Sequence, residues 1–222
     1  MSPRKAASTK ERIEREALKL FRKRGFDRTT LRDIAKAAGT SLGSTYYYFP
    51  SKEALVLGYF EQQMVEHERL AQEAFRASSD LGERVRAAFS IRLDLMRKDR
   101  KFFGGLFRSV GDVESPVSVF SKENSELRLR GIRVLEQAVS VPEVPEALRA
   151  ELAYGLWALM LGMVLYFVHD ESPEQQRTAE LVTGSIDLIV PLVPLLALPQ
   201  AEFFRERVMA VLDRAGLLPE ML

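Results

Sequence analysis

The sequence predicts an all-α protein. Apolar residues recur at helical spacing in nearly every segment, almost no stretch alternates with period two, and glycine and proline fall between the periodic runs. At 222 residues and 46% hydrophobic content, the chain can build one large core, or a small domain joined to a larger one.

The elements follow in order. Ser8 and Glu11 form a capping-box pair, and Ile13, Ala17, Leu20 and Phe21 then line one face as far as Gly25, predicting a first helix over 9–24. Thr30 and Asp33 repeat the pair. Leu31, Ile34, Ala35 and Ala38 give a second, short face that Gly39 ends. Ser41 can cap a third short helix to about Phe49, and Pro50-Ser51 separates it from a long fourth helix over 52–77. Further helices are expected over 81–98, 100–110, 119–139, 146–168, 173–196 and 200–215, about nine to ten in all, with Pro191 and Pro194 kinking or ending the one they fall in. The expected division is a three-helix helix-turn-helix head, 1–52, and a larger helical domain, 53–222.

Charge divides the chain in the same sense. Up to Gly58 there are 13 Lys and Arg against 6 Asp and Glu, and the remainder carries 19 against 25. A basic front on a chain of net charge +1 points to a polyanionic partner for one domain only. Without cysteine there is no disulfide framework and no thiolate metal site, so a cytoplasmic location is the default. The opening MSPRKAASTKER lacks the apolar run of a secretory signal.

The segment TSLGSTYYYFPSKEAL, 40–55, carries the functional signal. Two short helices joined at Ala38-Gly39-Thr40 are the parts of a helix-turn-helix, whose second helix enters the DNA major groove. At 100° per residue, Thr45, Phe49 and Leu42 form an inward stripe, Tyr47 points the opposite way beside Gly43 and Ser44, and Tyr46 and Tyr48 flank the helix. Tyr47 is therefore placed to read bases, while the flanking hydroxyls are placed to meet phosphates.

The string Gly25, Thr29-Thr30, Ile34-Ala35, Ala38-Gly39, Ser41, Gly43, Tyr46, Tyr48-Phe49, Ser51-Lys52-Glu53 and Leu55 resembles the N-terminal signature of TetR-family (TetR/AcrR type) transcriptional regulators. The resemblance implies base contacts from Leu42, Gly43, Ser44, Tyr46 and Tyr47, phosphate contacts from Tyr48 and Lys52, and Thr30 and Arg32 beside the DNA. Thr40 and Ser41 at the turn complete the candidate set. Thr40 and Thr45 depart from the family pattern, which is usually apolar there, and Leu42 stands where a longer polar side chain often sits.

Beyond Tyr59 nothing resembles a catalytic constellation, so an enzyme is not expected, nor a metal or cofactor. His67 and His169 are read as structural. The family resemblance implies a helical core that binds a small-molecule effector and dimerises through its last two long helices. Leu152–Val168 is uncharged but at the lower edge of a spanning length, so no membrane partner is expected. Its Gly155, Ala158 and Gly162 allow close helix approach, which fits a homodimer through the helices near 146–168 and 173–196. Phe89, Met96, Phe102, Phe103, Phe107, Phe120, Trp157, Met160 and Tyr166 are candidate pocket residues for an apolar or amphipathic effector, with Arg92 or Arg128 orienting a polar group. The function expected is a ligand-responsive repressor binding a palindromic operator in double-stranded DNA. An activator of the same fold is the near alternative, and a helical protein-interaction module the distant one.

Overall fold

The computed structural model describes residues 3–111 and 115–214, with side chains for 9–106 and 115–214. Among them the chain is helical and has no strand. The helices are α1 (Pro3–Arg24), α2 (Leu31–Ala37), α3 (Leu42–Tyr48), α4 (Lys52–Ala77), α5 (Leu81–Arg97), α6 (Arg100–Gly111), α7 (Ser125–Val139), α8 (Glu146–His169), α9 (Gln176–Ile189), α10 (Val193–Leu196) and α11 (Pro199–Arg214), with 3-10 turns at Pro173–Gln175 and Val190–Leu192.

Three expectations need correction. Helix α1 already runs through Ser8, so the Ser8–Glu11 pair does not start it. The helix expected from 119 begins at Ser125 instead. Before it, Asn124 Nδ2 donates to the carbonyls of Pro116 (3.0 Å) and Ser118 (2.8 Å), and Ser121 Oγ donates to Pro116 (3.2 Å), so side chains take the place of a helical ladder. The helix expected from 173 begins as a 3-10 turn, with α9 starting at Gln176, while the break expected at Pro191 is present. Pro191 sits in the 3-10 turn that separates α9 from α10, as a residue without an N–H should. In the turn at Pro173–Gln175, Glu174 and Gln175 have positive φ (48° and 55°). The buried Asp170 carboxylate holds that turn by accepting from Thr178 N (2.9 Å), Thr178 Oγ1 (2.6 Å) and Ser172 Oγ (2.7 Å). Burial pushes the Asp170 pKa upward, but those hydrogen bonds outweigh it and hold the carboxyl well below the usual carboxylate range.

The chain forms two compact units, Met1–Gln63 with Asp99–Asn124, and Met64–Lys98 with Ser125–Leu222. In the first, Ile13, Ala17 and Phe21 of α1 are buried with Ile34 and Ala35 of α2, and α2 packs on α3. The Phe21 ring lies 5.3 Å from Phe26 and stacks on Phe102 of α6 at 5.6 Å. Asp99, buried just ahead of α6, accepts Arg22 Nη2 at 2.9 Å, a second contact from Arg22 Nε, and the Tyr59 hydroxyl at 2.5 Å. A buried carboxylate needs such partners to stay charged.

The second unit is built on α5, α7, α8 and α9. Val85, Phe89, Leu93 and Met96 of α5 are buried, as are Val134 and Leu135 of α7 and Leu156, Trp157, Met160 and Phe167 of α8. Arg84 closes the end of α7 by donating from Nε to the Ala138 carbonyl (3.0 Å) and from Nη2 to that of Gln137, satisfying carbonyls that the helix itself cannot. Two segments, Glu146–His169 and Pro173–Leu196, are long and apolar enough to cross a membrane by length and composition. The first has a buried core face, and its outward face carries the small residues Gly155, Ala158 and Gly162.

Candidate nucleic-acid interface

Thr30 caps α2 through a reciprocal box. Asp33 N donates to Thr30 Oγ1 (3.1 Å), while Thr30 N (3.0 Å) and Thr30 Oγ1 (2.6 Å) both donate to the Asp33 carboxylate. The Thr30 hydroxyl and N–H hold the Asp33 pKa below its ordinary value. The helix ends with Gly39 at φ +60°, a conformation that suits glycine, and Thr40 N donates back to the Ala35 carbonyl at 3.0 Å. From α1, Arg12 Nε donates to the Ala38 carbonyl at 2.8 Å and fixes the turn from outside. No local pattern announces that contact, because its partners are 26 residues apart.

Helix α3 starts at the cap Ser41, whose Oγ accepts from Ser44 N at 3.0 Å. Thr45 is fully buried, and its hydroxyl donates to the Ser41 carbonyl at 3.1 Å, which explains how a polar residue occupies a usually apolar place. Phe49 is buried beside it, and Leu42 is half-buried. On the far side Tyr47 is 83% exposed and Tyr46 52% exposed, while Tyr48 is half-buried with its ring edge-on to Tyr47 at 5.1 Å. A Cβ on Gly43 would meet nothing within 4 Å, so packing inside the protein does not demand glycine there. Arg32 is exposed at the start of α2. Lys52 is half-buried: its ammonium donates to the Phe26 carbonyl (3.0 Å) and sits 4.2 Å above the Phe26 ring, a bracing role that sequence reasoning missed.

The arrangement is a short helix held rigidly on one side and presenting two tyrosines, a glycine and a serine on the other. Residues 13–59 match the model of bacterial regulatory proteins of the tetR family, and residues 84–202 match the tetracyclin repressor-like C-terminal domain. The chain belongs to the TetR family. The matched family is one of bacterial regulatory proteins. Among relatives, it is 48% identical over 52 residues to the uncharacterized HTH-type transcriptional regulator YerO of Bacillus subtilis (strain 168), covering 23% of this chain and 18% of that one. It is 26% identical over 171 residues to the HTH-type transcriptional activator FasR of Mycolicibacterium smegmatis (strain ATCC 700084 / mc(2)155), covering 77% and 76%. The chain spans less than a third of the length of the curated relatives it matches first. A solved TetR-family regulator from Syntrophomonas wolfei has the same fold, with a TM-score of 0.65 at 17% identity over 87% of this chain and 98% of that one.

The expected pocket residues are not gathered in one unit. Phe89, Met96, Trp157 and Met160 are buried in the second unit, where Arg92 is half-buried. Phe103 belongs to the first unit, stacked on Phe60 at 5.9 Å, and Phe120 is exposed there. Tyr166 is exposed on α8 next to Leu165, while Met163 and Phe167 on the same helix are buried. The Phe107 side chain lies outside the described residues. His67, read as structural, is buried with Nε2 2.9 Å from the Ala88 carbonyl, so Nε2 carries the proton. Burial, helped by the Arg92 charge, pushes its pKa down to about 4.

Proposed function

We propose that the protein is a ligand-responsive, homodimeric repressor that reads a palindromic operator with one α3 helix per half-site. The observation that carries this reading is Tyr47, a large ring 83% exposed on the face of α3 opposite its buried stripe, with nothing crowding Gly43 beside it. Tyr47 and Tyr46, with Leu42, Gly43 and Ser44, contact bases; Tyr48, Lys52, Thr30, Arg32, Thr40 and Ser41 meet the backbone on either side. Residues 1–52 act as the reading head, and residues 53–222 serve dimerisation and effector binding, in the cytoplasm.

Support for the dimer comes from the outward faces of α8 and α9. Gly155 and Gly162 of α8 and Gly184 of α9 have open space over their α-carbons, and Leu181, Leu188 and Leu195 follow one another at seven-residue spacing, all exposed. That combination suits close packing against a two-fold copy. The effector is an apolar or amphipathic small molecule held by aromatic and methionine side chains such as Phe89, Met96, Trp157 and Met160, and its binding favours one head separation over the other. The relative FasR is named an activator, so the same dimer on DNA could recruit rather than block. Selection of bound sequences from a random duplex library tests the reading. A two-fold symmetric motif is expected, and no enrichment at low salt would overturn it.

A further inference from the structure

Among the described residues, fifteen large apolar side chains are exposed, and they are not scattered. Two are Tyr46 and Tyr47, and eleven lie between Leu165 and Val211. The α8 and α9 members of that second group belong to the dimer face proposed above. Helix α11 does not: it lies almost wholly past residue 202, where the match to the family's C-terminal domain ends.

Helix α11 is built as if for two partners. One side leans on its own protomer, where Ala201, Met209 and Leu212 are half-covered and Arg205 donates to the Glu151 carboxylate of α8 at 2.7 Å. The adjoining side, about 90° round the helix, carries Phe204, Val208 and Val211 at i, i+4 and i+7, all exposed, with Phe203 further round. Phe204 is 69% exposed, and no residue of α11 is buried. A solvent-facing helix of a monomer would be expected to turn charge outward along that line.

We propose that α11 is a clasp that lays this face against the second copy of the chain, extending the α8–α9 interface. The inference rests on the homodimer reading. Continuity supports the second copy as the occupant: the exposed apolar line of α9 and α10 continues through Leu195 and Leu198 directly into Phe203 and Phe204. Charge supports it too. Helix α11 carries Glu202, Glu206 and Asp213 against Arg205, Arg207 and Arg214, a balance that suits an isologous contact and lacks the basic excess that an anionic membrane surface or nucleic acid selects. Two aromatic side chains that each bury roughly 150–250 Å² when fully covered are the type of anchor that dominates interface energy.

The test is sedimentation equilibrium of the full chain and of two full-length variants, Phe204→Glu in α11 and Leu188→Glu in α9. Both positions are exposed, so far-UV circular dichroism should match the wild type, whereas the thermal midpoint should fall only as far as the dimer is weakened. The clasp predicts a dimeric wild type and a dissociation constant raised on the order of 100-fold by Phe204→Glu. If Leu188→Glu dissociates the dimer while Phe204→Glu leaves it unchanged, the clasp is wrong and the α8–α9 dimer stands. A wild type that is monomeric at high micromolar concentration would overturn both.

Discussion

Replacing Tyr47 with alanine should separate reading from folding. The ring is 83% exposed, so little burial is lost, and its recorded aromatic contact is the edge of Tyr48 at 5.1 Å. Such a pair contributes about 0.5–1.5 kcal/mol when buried and less here, and alanine is the better helix former by a few tenths of a kcal/mol. Stability should therefore fall by less than about 1 kcal/mol, a shift of at most about 4 °C in Tm for a chain of this size. A base contact is different in scale. Its loss costs about 1–3 kcal/mol of discrimination per half-site, or roughly 5- to 150-fold in affinity, and a dimer loses it twice. Fluorescence anisotropy on the selected duplex and on one mismatched in each half-site measures the ratio directly. Tyr47→Ala should reduce that ratio while leaving weak, salt-sensitive binding. An unchanged ratio would refute the assignment, and so would a loss of binding matched by a large loss of thermal stability.

Lys52→Ala should weaken binding to all duplexes alike and flatten the salt dependence, read from titrations at several salt concentrations, because one phosphate contact fewer releases one counterion fewer. It should also lower stability slightly through the lost Phe26 brace. Asp99→Asn leaves Arg22 and Tyr59 without a bidentate acceptor and should cost about 2–3 kcal/mol in urea unfolding, below the figure for a fully buried pair because Arg22 is about half exposed; an unchanged midpoint would contradict it. His67 is neutral in the fold, with its pKa at about 4 against an ordinary 6.5, so only the unfolded chain takes up this proton between those values. Stability is thus full above pH 6.5 and falls by about 1.4 kcal/mol per pH unit down to about 4. In His67→Leu that slope should largely vanish over the same window, and identical slopes in variant and wild type would refute the assignment.

Much of the head was legible in the sequence because its determinants are local. The Thr30–Asp33 box, Gly39 and Ser41 each act within four residues, and a helical wheel anchored on Thr45 separates Phe49 from Tyr47. What was missed acts over long separations: Arg12 on Ala38, Lys52 on Phe26, and Asp99 joining Arg22 and Tyr59 across 77 and 40 residues. Most C-terminal helices were legible to within a few residues at their ends, since apolar periodicity marks them, the start of α7 and the division of 173–196 excepted. Which aromatics face inward was not, because α8 is apolar around its whole circumference and carries no stripe to orient Tyr166 against Trp157. The start of α7 was misplaced because Ser118, Ser121 and Asn124 satisfy the backbone with side chains, a pattern that periodicity does not register.

The claim that α3 of each protomer enters a major groove is tested most directly by methylation interference on the selected duplex. Interference at guanine N7, a major-groove atom, is expected in two symmetric clusters on one face of the duplex, about one helical turn or a multiple of it apart. A single cluster, or interference confined to adenine N3 in the minor groove, would contradict it.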